Sequence, residues 1–303
     1  MKGLYFTLII ILMLSLLLMP LCALYKGEEK GEGFKVYITD EAKIENLSYF
    51  DYLMGVTGGN LKSNASVETV KAEAVAAYTL ALYHKSNSTN TNFDFNDSLD
   101  GFIKKDKLKE KWGDDYKATY NKFEKAIKDV LGQTITYNKA PIMALRHDIS
   151  SGVTESAENV LKGDFPYLQS VESAGDLLSE ELTTTKTVSL EEFKKAFINQ
   201  ELAPTEDPTK YITDTKKTKA GSVKNITILG GNFTGEEIKN IFDLPSICFD
   251  IVFKDNAFIF TVKGKGDLLG LSRTGAEYLA QNGHSYTEIL SWYYPGCELT
   301  TGG

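Results

Sequence analysis

Histidines, cysteines and carboxylates are the side chains that move protons, attack substrates or hold metals, and this chain uses the first two sparingly: 3 His and 3 Cys in 303 residues. His84, His147 and His284 stand in unrelated contexts, and no serine or cysteine occupies a sharp strand-to-helix elbow, so a nucleophilic triad has no candidate. Carboxylates remain. Glu68 and Glu73 fall on one predicted helix, where a separation of five residues puts about 140° of arc between them. Asp148 follows His147 in the segment His147–Glu155, HDISSGVTE, which also gathers Ser150, Ser151 and Gly152. A single carboxyl group works as a general acid near neutrality only when its pKa is raised, which calls for partial burial in a cleft.

The elements that must position these groups centre on Gly55–Tyr83. A glycine-rich turn, Gly55–Gly59, leads past Asn60 into a polar bend at Lys62–Ser66. A helix follows, with Ser66 as N-cap and Val67, Val70, Ala74, Ala77 and Ala81 on one small apolar face. Phe34–Thr39 alternates like a strand, Leu47–Met54 reads as a short helix, and Ser86–Asp100 is a polar loop. Asp114–Leu131 is an amphipathic helix closed by Gly132, followed by strands at Gln133–Tyr137 and Pro141–Leu145. Glu172–Thr187 is polar and loosely patterned, and Ala203–Ala220 reads as a surface excursion. Capping boxes start helices at Ser189/Glu192 and Thr234/Glu237. Ser222–Leu229 is a strand, Ile247–Phe253 and Phe258–Val262 are a strand pair around Lys254–Asn256, and Glu277–Asn282 is a closing helix. The mixture predicts an α+β fold around a buried central helix.

Composition narrows the partners. A net charge of −8 with Lys and Arg dispersed leaves no basic stripe, which excludes nucleic acid. Leu4–Leu24 is an uncharged apolar run long enough to span roughly 30 Å, the bilayer core. Leu21 before Cys22 and Ala23 makes a poor cleavage site, so residues 1–24 read as a transmembrane anchor rather than a signal peptide. Residues 25–33 are then a tether and 34–300 a single domain outside the cytoplasm. Cys248 and Cys297 either pair there or stay as free apolar residues.

Four motifs in order carry a family resemblance over Phe34–Leu299. Tyr52, Gly55, Val56, Glu68, Lys71, Ala72, Ala74–Ala77 and Thr79 form the first. His147, Ser150, Gly152, Thr154 and Glu155, continued by Pro166-Tyr167-Leu168, form the second. Gly264, Gly266, Gly270, Ser272, Gly275 and Ala276 form the third, and Tyr293-Tyr294-Pro295-Gly296 the fourth. On these residues the chain resembles the stage II sporulation protein D family.

The resemblance implies a peptidoglycan lytic transglycosylase of sporulation engulfment, in which one glutamate protonates the glycosidic oxygen and then takes the proton of the C6 hydroxyl, leaving a 1,6-anhydro end on muramic acid. The matching position here is Asn60, whose amide neither gains nor loses a proton near neutral pH. Leu61 and Lys62 replace the family's Met-Pro. Glu73, where the family has glutamine, and Asp148, where it has serine, are the substitute acids to weigh. The alternative for Glu73 is a hydrogen-bonded helix residue. His147, Ser150, Ser151, Gly152 and Ser272 could bind sugar hydroxyls and N-acetyl groups, or His147 could be a buried structural residue. Asp267 replaces a histidine, Leu268 a glycine and Arg273 a glutamine. Some relatives carry a Cys-His-Cys metal cluster, but Tyr83–Leu145 holds no cysteine and only His84, so no zinc and no cofactor are expected. The expected partners are glycan strands, the membrane and other sporulation wall hydrolases. The resulting expectation is a membrane-attached wall-remodelling pseudoenzyme that binds glycan. Its alternatives are an active transglycosylase using another carboxylate and a non-catalytic activator of an amidase.

Overall fold

The computed structural model describes residues 32–198 and 206–301, so the Leu4–Leu24 run and most of its tether lie outside the described residues. Among the described residues no helix is long and apolar enough to cross a membrane. Strands β1 (Gly33–Ile38) and β2 (Lys43–Ser48) form an antiparallel hairpin that hands the chain to helix α1 (Tyr49–Asn60). Ser48 caps α1 by accepting from the Asp51 amide. Helix α2 (Val67–Asn87) follows, and β3 (Phe95–Asn96) then adds in parallel beside β1. Helices α3 (Lys105–Trp112) and α4 (Tyr116–Val130) lead into β4 (Gln133–Tyr137), β5 (Ala140–Pro141) and β6 (Arg146–His147).

Helix α2 is the axle of this first core. One apolar face is predicted for it, yet Ala72–Ala81 is buried without interruption. The cause is its surroundings, because α1, α4, β4 and two later helices all pack on it. Its alanines let those neighbours approach closely. Helix α1 departs from prediction in the same way. The Gly55–Gly59 run is not a turn but lies within the last two turns of α1. A Cβ on Gly55 would lie 2.3 Å from the Phe102 ring, and one on Gly58 would lie 2.5 Å from Leu108. Glycine costs about 0.5–1 kcal/mol in a helix interior, and here it is the residue that leaves room for the packing. Of the predicted strand Pro141–Leu145, only Pro141 pairs, in β5 against β4.

A second core fills residues 183–263. After the one-turn helix α5 (Ala157–Val160) come β7 (Thr183–Ser189), α6 (Leu190–Ala196), β8 (Ile212–Lys217), β9 (Val223–Ile228), β10 (Gly231–Thr234), α7 (Gly235–Ile241), β11 (Phe249–Lys254) and β12 (Ala257–Lys263). They form two antiparallel sheets, ordered β11-β12-β7 and β10-β9-β8. Phe193, Phe249, Phe258 and Phe260 lie between them, fully buried. The hairpin of β11 and β12 turns at Asp255 and Asn256, both with positive φ (52° and 60°), the conformation these short polar residues tolerate best. Both predicted capping boxes are formed. The predicted surface excursion contains β8, whose exposed TDTKK run carries no apolar alternation to reveal it as a sheet edge.

The chain returns to the first core at Gly264, through β13 (Leu271–Ser272), α8 (Arg273–Gln281), α9 (Tyr286–Tyr293) and β14 (Glu298–Thr301). Helix α8 therefore starts four residues before the predicted closing helix. Strand β13 pairs in parallel with β6, setting Leu271 opposite Arg146 and Ser272 opposite His147.

The packing of α1 makes a test. A Cβ on Gly59 would sit 2.5 Å from the Gly101 carbonyl oxygen. Glycine to alanine inside a helix ordinarily stabilises by up to ~1 kcal/mol. Gly59→Ala is expected instead to destabilise by about 1–3 kcal/mol, seen as a lower denaturation midpoint at unchanged slope. A midpoint equal to or above that of the wild type contradicts the close contact.

Candidate functional site

A cleft of about 430 Å³ opens beside the end of α1. One wall is the Asn60–Ala65 segment and another is the start of α8, with Asp148 and Lys265 between them and Leu178, Ser179 and Glu181 at the rim. Asn60, the last residue of α1, is half-buried there. Its amide nitrogen donates to the Val56 carbonyl at 3.1 Å and to the Asp100 carbonyl at 2.9 Å. The amide thus ties the 100–103 loop to α1. A carboxylate has no hydrogen to offer either carbonyl.

Glu73 does not line the cleft. It is 1% exposed beneath the floor, and its Oε1 accepts from Arg146 Nε at 3.2 Å and Arg273 Nε at 3.1 Å. Burial alone would raise its pKa, but Arg273 and Arg146 outweigh burial and hold the carboxyl below its ordinary value. Glu73 is therefore a buried, doubly paired helix residue set off from the cleft. Two of the positions singled out in the sequence, 73 and 273, thus meet as a buried carboxylate–guanidinium pair. Arg146 also bonds Asp100, whose carboxyl burial pushes up to about 6 despite the arginine.

Asp148 does line the cleft. It pairs with Arg273 Nη1 at 2.9 Å and Lys265 Nζ at 3.0 Å. Burial again raises its pKa, and the two cations more than cancel that, so it too stays ionised. Both substitute acids are shifted in the direction opposite to the one a general acid needs.

The predicted sugar-binding groups are brought together, but they face inward. Ser150 donates to Asp176 Oδ2 through its hydroxyl at 2.5 Å and its amide at 2.9 Å, while the Ser272 hydroxyl donates to Asp176 Oδ1 at 2.7 Å. Ser150, Ser272 and Asp176 are fully buried. Ser151 donates to the Ala220 carbonyl at 2.7 Å. Gly152 has φ 101°, and a Cβ there would meet Leu177 at 2.5 Å. His147 is buried, and its Nδ1–H donates to the Leu269 carbonyl at 3.0 Å. Burial lowers its pKa, and its buried Nε2 has no partner among the described residues. The second and third motifs thus form a knot around Asp176 behind the cleft. Asp176 carries no motif signal of its own, and sequence reasoning passed over it.

Two further groups were missed for the same reason. Glu277, on α8, lines the cleft and accepts from the Ser66 amide at 2.9 Å, the Ser66 hydroxyl at 2.7 Å and Thr69 Oγ1 at 2.7 Å. Burial works against its charge, but Thr69 and Ser66 hold its pKa below the ordinary value. The Ser66 hydroxyl therefore bonds Glu277 instead of capping α2 itself. Lys111, on α3, donates to three carbonyls of the α1 terminus, those of Gly58, Gly59 and Leu61. Among the described residues no group of three or more His, Cys, Asp or Glu is arranged to hold a metal. Cys248 and Cys297, left open as a pair, are free thiols, and burial raises both pKa values, that of Cys297 to about 12.

Comparison with known proteins fits this arrangement. Residues 37–137 match the family model described as "Stage II sporulation protein". Stage II sporulation protein D of Bacillus amyloliquefaciens is 31% identical, over 90% of this chain and 80% of its own length. The protein of that name from Bacillus subtilis (strain 168) is 29% identical, over 88% of this chain and 78% of its own length. The amidase enhancer of the same strain is 24% identical, over 82% of this chain and 40% of its own length.

Removing one partner of a buried ion pair typically costs about 3–5 kcal/mol. Glu73→Gln and Arg273→Gln are each expected to lower unfolding free energy by an amount in this range. The double variant, which puts neutral amides at both positions, is expected to lose less than the sum. An additive double variant in the thermodynamic cycle would show that the two departures are independent.

Proposed function

Since the chain belongs to the stage II sporulation protein D family, we propose that it holds peptidoglycan glycan strands in the cleft beside Asn60 without cutting them. Family membership and likeness to an amidase enhancer support the broader statement, a role in cell-wall remodelling during sporulation. The observation that carries the finer reading is the state of the cleft's titratable groups. At the position of the family's glutamate stands an amide bonded to two carbonyls. Of the three cleft carboxylates, Asp148 and Glu277 are held ionised by their partners, and Glu181, at the rim, pairs with Lys62 at 3.2 Å. A glycan has polar edges and apolar faces, and the cleft offers both: Asn64, Ser179 and Gln281 for hydroxyls and N-acetyl groups, Leu178 and Tyr278 for ring faces.

A second reading has its own support. The likeness to an amidase enhancer favours a chain that acts on a partner hydrolase rather than on the glycan alone. It shares with the first the absence of cutting and differs in needing an amidase for any effect.

The test is a digest of purified peptidoglycan by the full chain. Retention on the polymer with no anhydro-muramic ends is expected. Asn60→Glu is expected to restore at most a trace of cleavage, although a well-placed acid–base group is worth about 10²–10⁴-fold. The glutamate would lose both carbonyl contacts, and a displacement of about an ångström is itself costly. Abundant anhydro product from the unmodified protein, abolished by Asp148→Asn, would overturn the reading.

We also propose that Leu4–Leu24 anchors the chain in the cell membrane as a single pass, with the bulk outside the cytoplasm. Sequencing the mature amino terminus is expected to find the run retained. A start near Ala23 or Leu24 would mean a cleaved and released protein.

A further inference from the structure

The segment 58–66 carries one wall of the cleft, and few of its carbonyls are met by backbone. Its polar backbone groups must still find partners. Charged side chains from three helices supply them. Lys111, on α3, spends all three ammonium hydrogens on the carbonyls of Gly58 at 2.9 Å, Gly59 at 2.6 Å and Leu61 at 3.0 Å. Lys122, on α4, donates to Ser63 O at 2.8 Å and Ala65 O at 2.7 Å. Glu277, on α8, takes the Ser66 amide.

We propose that Lys111 and Lys122 are positioning residues for the glycan cleft, two cations that fix the course of the Asn60–Ala65 wall by gathering its carbonyls. The inference rests on the glycan-binding reading of that cleft for its functional consequence, and on geometry alone for its structural one. Neither lysine lines the cleft, so neither is assigned a contact with the ligand. Lys111 acts on the helix end that bears Asn60, where a cation also meets the negative end of the α1 dipole. Lys122 acts on the bend beyond it. Without the ammonium groups five carbonyls lose their charged donors, and the wall is left to water.

Lys111→Met and Lys122→Met keep most of the side-chain bulk and remove the donors. Lys107→Met, on α3 and paired with exposed Glu110, is the control. Two readouts are taken on the full chain: amide hydrogen exchange resolved along the sequence, and retention on purified peptidoglycan. Either lysine variant is expected to speed exchange across 58–66 by about fivefold or more, with the α2 interior and the 183–263 core unchanged. Retention on peptidoglycan is expected to weaken by a similar factor, with Lys111→Arg recovering part of both effects. Lys107→Met is expected to match the wild type. Unchanged exchange across 58–66 in both methionine variants overturns the inference, as does faster exchange with retention like that of the wild type. If the unmodified chain itself is not retained, the glycan reading fails, and the exchange data alone then decide whether the lysines fix the wall.

Discussion

The contact on which the fold depends is the ion pair of Glu73 with Arg273 and Arg146, buried under the cleft. A carboxylate on the most enclosed helix of the chain is tolerable only if cations follow it into the interior. They arrive from two distant stretches of sequence. The parallel pairing of β6 with β13 sets Arg146 opposite Leu271, and the next turn of chain brings Arg273 to the same oxygen. The pair therefore fixes how α2, the His147 segment and the start of α8 meet, and the cleft floor is the upper side of that junction.

The same junction decides what chemistry the floor can do. Burial raises a carboxyl pKa and neighbouring guanidinium groups lower it, and the sum differs from one carboxyl to the next. At Glu73 and Asp148 the cations prevail. At Asp100 burial prevails, but that carboxyl points to Arg146 and does not line the cleft. Asp148, which lines the cleft, is thus held charged, while Asp100, raised toward neutrality, lies off it. Asp148 is therefore placed to accept hydrogen bonds and poorly placed to donate a proton.

Much of the fold was legible in the sequence because it is written in local terms. Capping boxes at Ser189 and Thr234, the amphipathic period of α4 and the Asp255–Asn256 hairpin turn each need only a few neighbouring residues, and each is formed. What was not legible depends on partners far along the chain. Consecutive glycines suggest a turn, and only the Phe102 and Leu108 side chains explain why they are helical. An N-cap serine suggests a self-contained helix start, and Glu277, 211 residues away, takes over its hydroxyl. Ser150 and Ser272 look like exposed ligand groups until Asp176 is seen between them. The motif residues were recognised, but the direction in which they point was not.

This has a bearing on how divergence in such a site is to be judged. Taken singly, Asn60, Glu73, Asp148 and Arg273 each read as a loss or an oddity against the family pattern. In space three of them are one charged network, and the fourth is a donor bound to two carbonyls. A buried polar group left unpaired costs about 1–3 kcal/mol, so the pairing of a buried network bears directly on stability. Here the substituted groups are satisfied apart from one Glu73 oxygen. The pairing of these groups keeps the packing under the cleft intact, and the shape of the cleft is set by that packing rather than by any one carboxyl.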